Sequence, residues 1–410
     1  MTVWGAGAVE ALGAGGTLRV APGDVVTPLA RERARELDVV IEPGTPAAGG
    51  TPAAGGAPAA RAAAGSGKAA SAPVQPRPPS GALFRRGAPL PPGTGPGGSG
   101  AGRVVIVGAG NVGMIAALRL ADADLFDEIV LVDIDEGRAA GVALDLSHTA
   151  PLSGFATRIR GVGTVEAAGR ADYVVITAGK PRTPGMSRSD LIGTNAAIVG
   201  DVAARVAATS PQAVIVVVTN PLDEMTQHAW TSSGFPAERV VGMAGVLDTA
   251  RFQALSALAT GGRADRIEAW ALGSHGDEMV VPLSRARLDG RPLAEAVGAT
   301  ALDAVVGRAR GSGAEVVGLL RSGSAFLAPG LSAARMVLAM ARDTGEVLPA
   351  AVLADGTYGI RDVYVGLPAR FGRGGVRAIV ELDLRPEELT ALRSAAERIR
   401  ERLGSLAGVS

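Results

Sequence analysis

The 410-residue sequence predicts an α/β fold: a doubly wound parallel sheet, then an α+β domain, the whole preceded by a low-complexity amino-terminal extension. Three observations carry the prediction. From Arg103 onward, apolar runs of strand length alternate with helical patterns, as βαβ units require. A GxGxxG pattern stands directly after the first of those runs. Between about Pro43 and Gly102 the composition collapses to Gly, Ala, Pro and Ser, which cannot bury enough apolar surface to offset the entropy of ordering. The expected organisation is a small amino-terminal segment over 1–42, a disordered linker over 43–102, the parallel-sheet domain over 103–244 and the carboxy-terminal domain over 245–410.

Taken in order, residues 1–42 carry ordinary patterning. TLRV and DVV read as short strands around the Pro22-Gly23-Asp24 turn. Thr27 and Pro28 mark a helix start, and Leu29, Ala30, Ala34 and Leu37 then share one face. The linker repeats TPAAGG at 45–50 and 51–56, a biased composition that extends a chain without packing it. RVVIVG, EIVLVD, ADYVVITAG and AVIVVVTN are the buried parallel strands. Beyond about residue 245 the alternation weakens. RIEAWALG, MVVPLSRARLDGRPL and DVYVGLPARFGRGGVRAIVELDL read as twisted antiparallel strands, with Asp289-Gly290 as a hairpin turn. The chain ends in a packing helix, in which Leu389, Leu392, Ala396, Ile399 and Leu403 repeat at helical spacing.

Bulk properties narrow the function. The hydrophobic fraction of 47% is ample for large cores. The formal net charge is zero and the only lysines are Lys68 and Lys180, so there is no basic footprint for nucleic acid or an anionic membrane. With no cysteine, disulfides, thiolate metal sites and a cysteine nucleophile are excluded together. The amino terminus lacks a basic region followed by an apolar run, and no apolar stretch approaches the ~18 residues of a membrane helix. A soluble, non-exported, cytoplasmic protein that works on small molecules without a metal is expected.

In VVIVGAGNVG, Gly108, Gly110 and Gly113 fall between a strand and the helix MIAALRLA. The first glycine permits a tight turn, the second lets a pyrophosphate approach the backbone, and the third lets helix and strand pack closely. Asp133 stands 20 residues beyond Gly113, at the end of the second strand. A carboxylate there accepts hydrogen bonds from both hydroxyls of an adenosine ribose and repels a 2′-phosphate, which favours NAD over NADP. The domain is therefore expected to be a Rossmann-type sheet, a tight βα turn without a nucleotide being the plainer alternative.

Of the three histidines, His148 and His228 sit in helical patterns and read as structural or surface residues. His275 lies in ALGSHGDEMV between glycines at a strand end, where an imidazole can reach into a cleft. Removing the hydroxyl proton of an alcohol as a hydride leaves needs a base titrating near neutrality, and histidine serves both reaction directions. The block GMAGVLDTARF offers Asp248 and Arg251 on one helical turn. An aspartate fixes the tautomer of an imidazole and stabilises its cation, and an arginine fork binds a carboxylate through two parallel bonds. A buried structural ion pair is the alternative for these two.

TAGKPRTPGMSRSDLIGTN follows a strand, is rich in Gly, Pro and cations, and precedes a helix beginning near Ser187. It reads as a mobile active-site lid that brings Arg182 and Arg188 in on closure, one to grasp a carboxylate and the other to polarise the reacting carbonyl. Two solvated loop arginines are the alternative. VVVTNPLDEMT ends a strand at Asn220-Pro221, at the carboxyl edge where open α/β sheets bind ligands. Asn220 there bonds a substrate oxygen or caps the next helix.

From about Arg103 to Leu403 the chain closely resembles the lactate and malate dehydrogenase family, in particular its lactate-dehydrogenase-like malate dehydrogenases. GAGNVG, AGKPRTPGMSR, VTNPLDEMT, GMAGVLDTARF and GSHGDEM occur in family order and spacing. The resemblance implies His275 as acid/base, Asp248 as its partner, Arg251 on the carboxylate of the reacting end, Arg188 as the carbonyl-polarising lid residue and Asn220 as a substrate contact. Arg182 occupies the specificity position, glutamine in lactate enzymes and arginine in malate enzymes. A second cation in a closed site would lie unpaired against a methyl group, a discrimination of ~1,000-fold or more. The implied NAD contacts are Gly108, Gly110, Asn111, Val112, Gly113, Asp133, Asn195, Val218 and Asn220. The implied activity is malate to oxaloacetate, with lactate or another 2-hydroxy acid, or an inert scaffold, as the alternatives. A homo-oligomer, dimer or tetramer, is implied as well.

Thr357 departs from the family pattern, where glutamate is common. The family leaves residues 1–102 unexplained. DVVTPLARERARELDVVIEPG resembles a short TP-x-A-R segment at the start of some proteins associated with bacterial microcompartments, which implies a docking or targeting extension reaching a larger assembly.

Overall fold

The computed structural model describes residues 2–44, 102–180, 188–276, 278–321 and 323–407. Nearly all of the expected linker lies outside them, as do residues 181–187 of the expected lid, Arg182 among them. The chain divides into two compact units, Met1–Ser80 and Gly81–Ser410.

In the first unit the elements are β1 (Val3–Trp4), α1 (Ala6–Glu10), β2 (Thr17–Val20), β3 (Val25–Val26), α2 (Pro28–Glu36) and β4 (Val40–Pro43). The Thr27 hydroxyl accepts a hydrogen bond from the amide of Ala30 at 3.2 Å, so the expected cap starts α2. The two expected strands do not pair with each other. β2 pairs in parallel with β4, and β3 with β1, because each crossover contains a helix. Val9, Leu18, Val26, Ala30, Ala34 and Val39 form a small buried core between them.

The second unit begins with β5 (Arg103–Val107), α3 (Asn111–Asp122), β6 (Glu128–Val132), α4 (Glu136–His148), α5 (Ala150–Ser153), β7 (Arg158–Val162), α6 (Val165–Ala168) and β8 (Tyr173–Ile176). It continues through α7 (Arg188–Thr209), β9 (Val214–Val217), α8 (Leu222–Ser233) and β10 (Val240–Gly242). These six strands are parallel in the order β7-β6-β5-β8-β9-β10. That is the doubly wound order, with the switch point between β5 and β8. Strand side chains are buried on both faces, as the apolar runs require.

Beyond it lie α9 (Gly245–Thr260), β11 (Ile267–Glu268), β12 (Leu272–Gly273), β13 (Met279–Val280), β14 (Arg287–Leu288), β15 (Arg291–Pro292), α10 (Leu293–Val297) and α11 (Ala299–Leu320). The last elements are α12 (Leu327–Ala341), β16 (Val347–Asp355), β17 (Arg361–Gly372), β18 (Gly375–Ile379) and α13 (Pro386–Ala407). Asp289 and Gly290 both take positive φ, the backbone of a two-residue hairpin turn, between paired β14 and β15. RIEAWALG is two short strands instead of one: β11 joins β14, whereas β12 joins β17 in the main sheet.

The main sheet does not stop at the expected boundary near residue 244. β10 pairs antiparallel with β16 through Gly242 and Ala351, and the β16–β17 hairpin extends the sheet to β12 and β13. Gly242 makes this continuation sterically possible, since a Cβ there would lie 2.8 Å from that of Ala351 and 2.4 Å from the Thr226 hydroxyl. α13 covers the added strands with fully buried Leu392, Ala396 and Ile399. Among the described residues, no helix is long and apolar enough to cross a membrane.

Candidate active site

The glycine loop connects β5 to α3 at the carboxyl edge of the sheet. Gly108 takes φ +109°, and a Cβ there would meet the Thr177 hydroxyl at 2.5 Å. At Gly113 a Cβ would lie 2.0 Å from the Gly108 carbonyl oxygen, so α3 can approach the turn only without one. Gly110 is different, because the nearest atom to its Cβ position is 4.0 Å away, on Arg138. Two glycines are thus needed by the protein and one is open to a ligand, the cradle a pyrophosphate fits. Asn111 and Val112 open α3 beside it, exposed and half-buried.

Asp133 directly follows β6, with one oxygen accepting from the Ala109 amide at 2.9 Å and the other from the Asp135 amide at 3.1 Å. The carboxylate is therefore oriented at the loop and remains partly exposed. Ile134 beside it is fully exposed, an apolar surface that periodicity did not flag. The groups present fit a dinucleotide whose ribose carries free hydroxyls.

Asn195, expected to touch the cofactor, is 2% exposed. Its side-chain oxygen accepts from the Lys180 amide at 2.8 Å, and its NH2 donates to the carbonyls of Lys180 (3.2 Å) and Asn220 (2.8 Å). Its amide is engaged with the chain itself, so it joins the segment after β8 to the segment after β9. Val218 is nearly buried in the core. Asn220 is exposed at the carboxyl edge, and the Asn220-Pro221 bond is cis. The cap position of α8 is Pro221 with no side-chain bond, which removes the capping alternative for Asn220.

α9 starts where β10 ends, placing Asp248 in its first turn and Arg251 one turn on. The Asp248 carboxylate is shared: one oxygen lies 2.8 Å from His275 Nδ1 and the other 3.1 Å from Arg251 Nη1. Its side chain is 5% exposed, against 19% for His275 and 16% for Arg251. Asp248 thereby holds Nδ1 as the donor, which leaves Nε2 as the ring nitrogen able to accept a proton. Burial works against the imidazolium and Arg251 adds to that, but Asp248, by charge and hydrogen bond, together with Asp223, outweighs both and holds the His275 pKa above its ordinary value.

His148 is exposed at the end of α4, and His228 is half-buried against Gly200 of α7, its pKa lowered by burial. Both take the structural or surface places expected. Arg188 is the first residue of α7, one position after the expected start. Thr357 donates its amide and hydroxyl to Asp355 at 3.1 and 2.7 Å, an anchor for the turn between β16 and β17. The pattern reading missed Asp223, buried in the first turn of α8, which accepts from the His275 amide at 3.0 Å. Its only sequence signal was its place three residues after Asn220.

The comparisons with known proteins agree with this geometry. Residues 102–242 match the lactate/malate dehydrogenase NAD binding domain, and 245–407 match the lactate/malate dehydrogenase alpha/beta C-terminal domain. The chain is 42% identical over 299 residues to a malate dehydrogenase of Chloroherpeton thalassium, covering 73% of this chain and 96% of that one. It is 44% identical over 305 residues to a malate dehydrogenase of Roseiflexus castenholzii, covering 74% and 98%. Among solved structures, the malate dehydrogenase from Salinibacter ruber aligns with a TM-score of 0.72 at 38% identity, over 75% of this chain and 98% of that one. A lactate dehydrogenase from Cryptosporidium parvum, complexed with lactic acid and nicotinamide adenine dinucleotide, aligns with 0.72 at 34%, over 74% and 98%. From Gly102 to Ala407, then, the chain is a member of the lactate/malate dehydrogenase family.

Proposed function

We propose that the chain is an NAD-dependent dehydrogenase that interconverts malate and oxaloacetate. The observation that carries the reading is the shared Asp248 carboxylate, which gives one imidazole and one guanidinium fixed places at the carboxyl edge of a nucleotide-binding sheet. NAD, when bound, supplies the nicotinamide that takes the hydride from C2 of malate. His275 Nε2 accepts the C2 hydroxyl proton in that direction and returns it to the carbonyl oxygen in the other. Asp248 stabilises the imidazolium formed between the two. Arg251 has five N–H donors, one of which serves Asp248, and pairs with the carboxylate beside C2. Asn220 contacts the substrate oxygen, and Arg188 polarises the carbonyl as the lid closes.

The narrowing to a dicarboxylate rests on Arg182, the cation for the second carboxylate, and on relatives named malate dehydrogenase. Oxidation of NADH with oxaloacetate, pyruvate or a branched 2-keto acid tests it by absorbance. Oxaloacetate is expected to be preferred by about 1,000-fold. A preference for pyruvate would move the reading to lactate, and no turnover with any of the three would restore the inert scaffold.

We further infer that residues 1–42 are a docking module that engages a larger assembly such as a bacterial microcompartment. The family match begins at residue 102, and the amino-terminal unit has a core of its own. In its TP-x-A-R segment Thr27 caps α2, Pro28 opens it and Ala30 is buried, which leaves Arg31 exposed for a partner. Co-sedimentation with such an assembly is expected for the full chain and not for a chain starting at Ala101; identical behaviour would remove the reading. A homo-oligomer of two or four copies is supported by exposed Leu144, Leu152 and Leu258 and is checked by light scattering.

A further inference from the structure

A second polar cluster meets the His275 loop through its main chain and through Ser274. Asp223 is 1% exposed. One of its oxygens accepts from both the His275 amide (3.0 Å) and the Ser274 hydroxyl (2.9 Å). The other is buried without a hydrogen-bond partner among the described residues. Ser274 in turn accepts from Arg402 Nη2 at 2.8 Å. Arg402, on α13, also pairs with Glu278 at 2.7 Å and with buried Glu224, and Arg398 one turn earlier takes the second oxygen of Glu278 at 2.8 Å. The loop between β12 and β13 is thus gripped from α8 through Asp223 and from α13 through Arg402.

Resting on the dehydrogenase reading above, we propose that Asp223 is a positioning residue for His275, holding the main chain of the catalytic loop, and that Arg402 makes that hold depend on the carboxy-terminal helix. Asp248 orients the imidazole through its ring, but a ring is aimed only as well as its backbone is placed. The sole anchor of the His275 amide among the described hydrogen bonds is Asp223. A displacement of about 1 Å at a reacting group can cost about 100-fold in rate.

Asp223 also acts through charge. The groups around His275 are Asp248 and Arg251 on α9, Asp223 and Glu224 on α8, Glu278 on the loop itself, and Arg402 on α13. Of these, Asp248 and Asp223 favour the imidazolium and Arg251 disfavours it. Burial, reinforced by Glu224, pushes the Asp223 carboxyl itself up to about 6. Near neutral pH it is therefore a carboxylate held in place by what it positions.

Asp223→Asn keeps an acceptor for both donors and removes the charge, whereas Asp223→Ala removes both. In Asp223→Asn the NMR titration of His275, assigned among three histidines with a His275→Asn control, is expected to move to lower pH, because a negative charge that favours the imidazolium is gone. kcat for oxaloacetate is expected to fall by about 10- to 100-fold in Asp223→Ala and to recover largely in Asp223→Asn, with NADH affinity unchanged. Ser274→Ala and Arg402→Met, which cut the link to α13, are expected to lower kcat by several-fold. If Asp223→Ala does not fold, Asp223→Asn and Ser274→Ala decide the matter. An unmoved His275 titration together with wild-type kcat in Ser274→Ala would overturn the proposal, as would an equal loss in Asp223→Asn and Asp223→Ala. The titration needs no turnover, so a failure of the dehydrogenase reading leaves this test standing.

Discussion

The two edges of the parallel sheet hold the same residue types and use them oppositely. At the amino edge, Glu128 at the start of β6 lies 2.6 Å from Arg103 and 3.0 Å from Arg160, and the Asp172 carboxylate accepts from the Arg103 amide at 2.8 Å. The Glu128 ion pairs and the Asp172 bond tie strand to strand there. At the carboxyl edge, Asp248 is divided between a guanidinium and an imidazole, Asn220 is exposed on a cis bond and Gly110 faces open space. The difference is completeness: a charge that finds its partner within the fold stabilises, while one left with unused capacity is available to a ligand.

Substitutions that cross this line should have unlike consequences. The largest effect is expected at His275→Asn, where loss of the acid/base should lower kcat by about 10²- to 10⁴-fold. NADH binding, followed by fluorescence, should be retained. Next comes Arg182→Gln, expected to cut the preference for oxaloacetate over pyruvate by about 1,000-fold, as read from the ratio of kcat/KM values. The smallest effect on activity is expected from Glu128→Gln at the amino edge. Arg103 and Arg160 are 33% and 36% exposed and can rehydrate, so the loss should be about 1–3 kcal/mol of unfolding free energy in a urea titration. Its kcat should remain within about twofold of wild type. A large activity loss there would erase the distinction between the edges.

Most of the sheet and the centre of the site were legible because their signals are local. Four apolar runs marked parallel strands, and the glycine loop and Asp133 are separated by a single βα unit. Asp248 and Arg251 are one helical turn apart, and His275 was singled out by flanking glycines. What escaped depends on distant pairing. The passage of the sheet across Gly242 into β16 joins strands more than a hundred residues apart, with nothing in either that names the other. Arg402 reaches Glu224 across 178 residues and Ser274 across 128, and in the helical pattern of α13 it reads as one more solvated arginine. In the amino-terminal unit the strands were found, but their parallel partners were not, since pairing is set by the helices between them.

The central claim is that one imidazole, held by Asp248, serves both directions of the reaction. Its folded pKa lies above the ordinary value of 6.5, so the cation persists to higher pH than in a free histidine. Oxaloacetate reduction needs the imidazolium and malate oxidation the neutral ring. The direct test is kcat/KM against pH in both directions. The reduction profile is expected to fall as pH rises through this pKa and the oxidation profile to fall as pH drops through it, the two limbs meeting at one value above 6.5. Profiles that fall on the same side, or an oxidation limb that survives in His275→Asn, would contradict it.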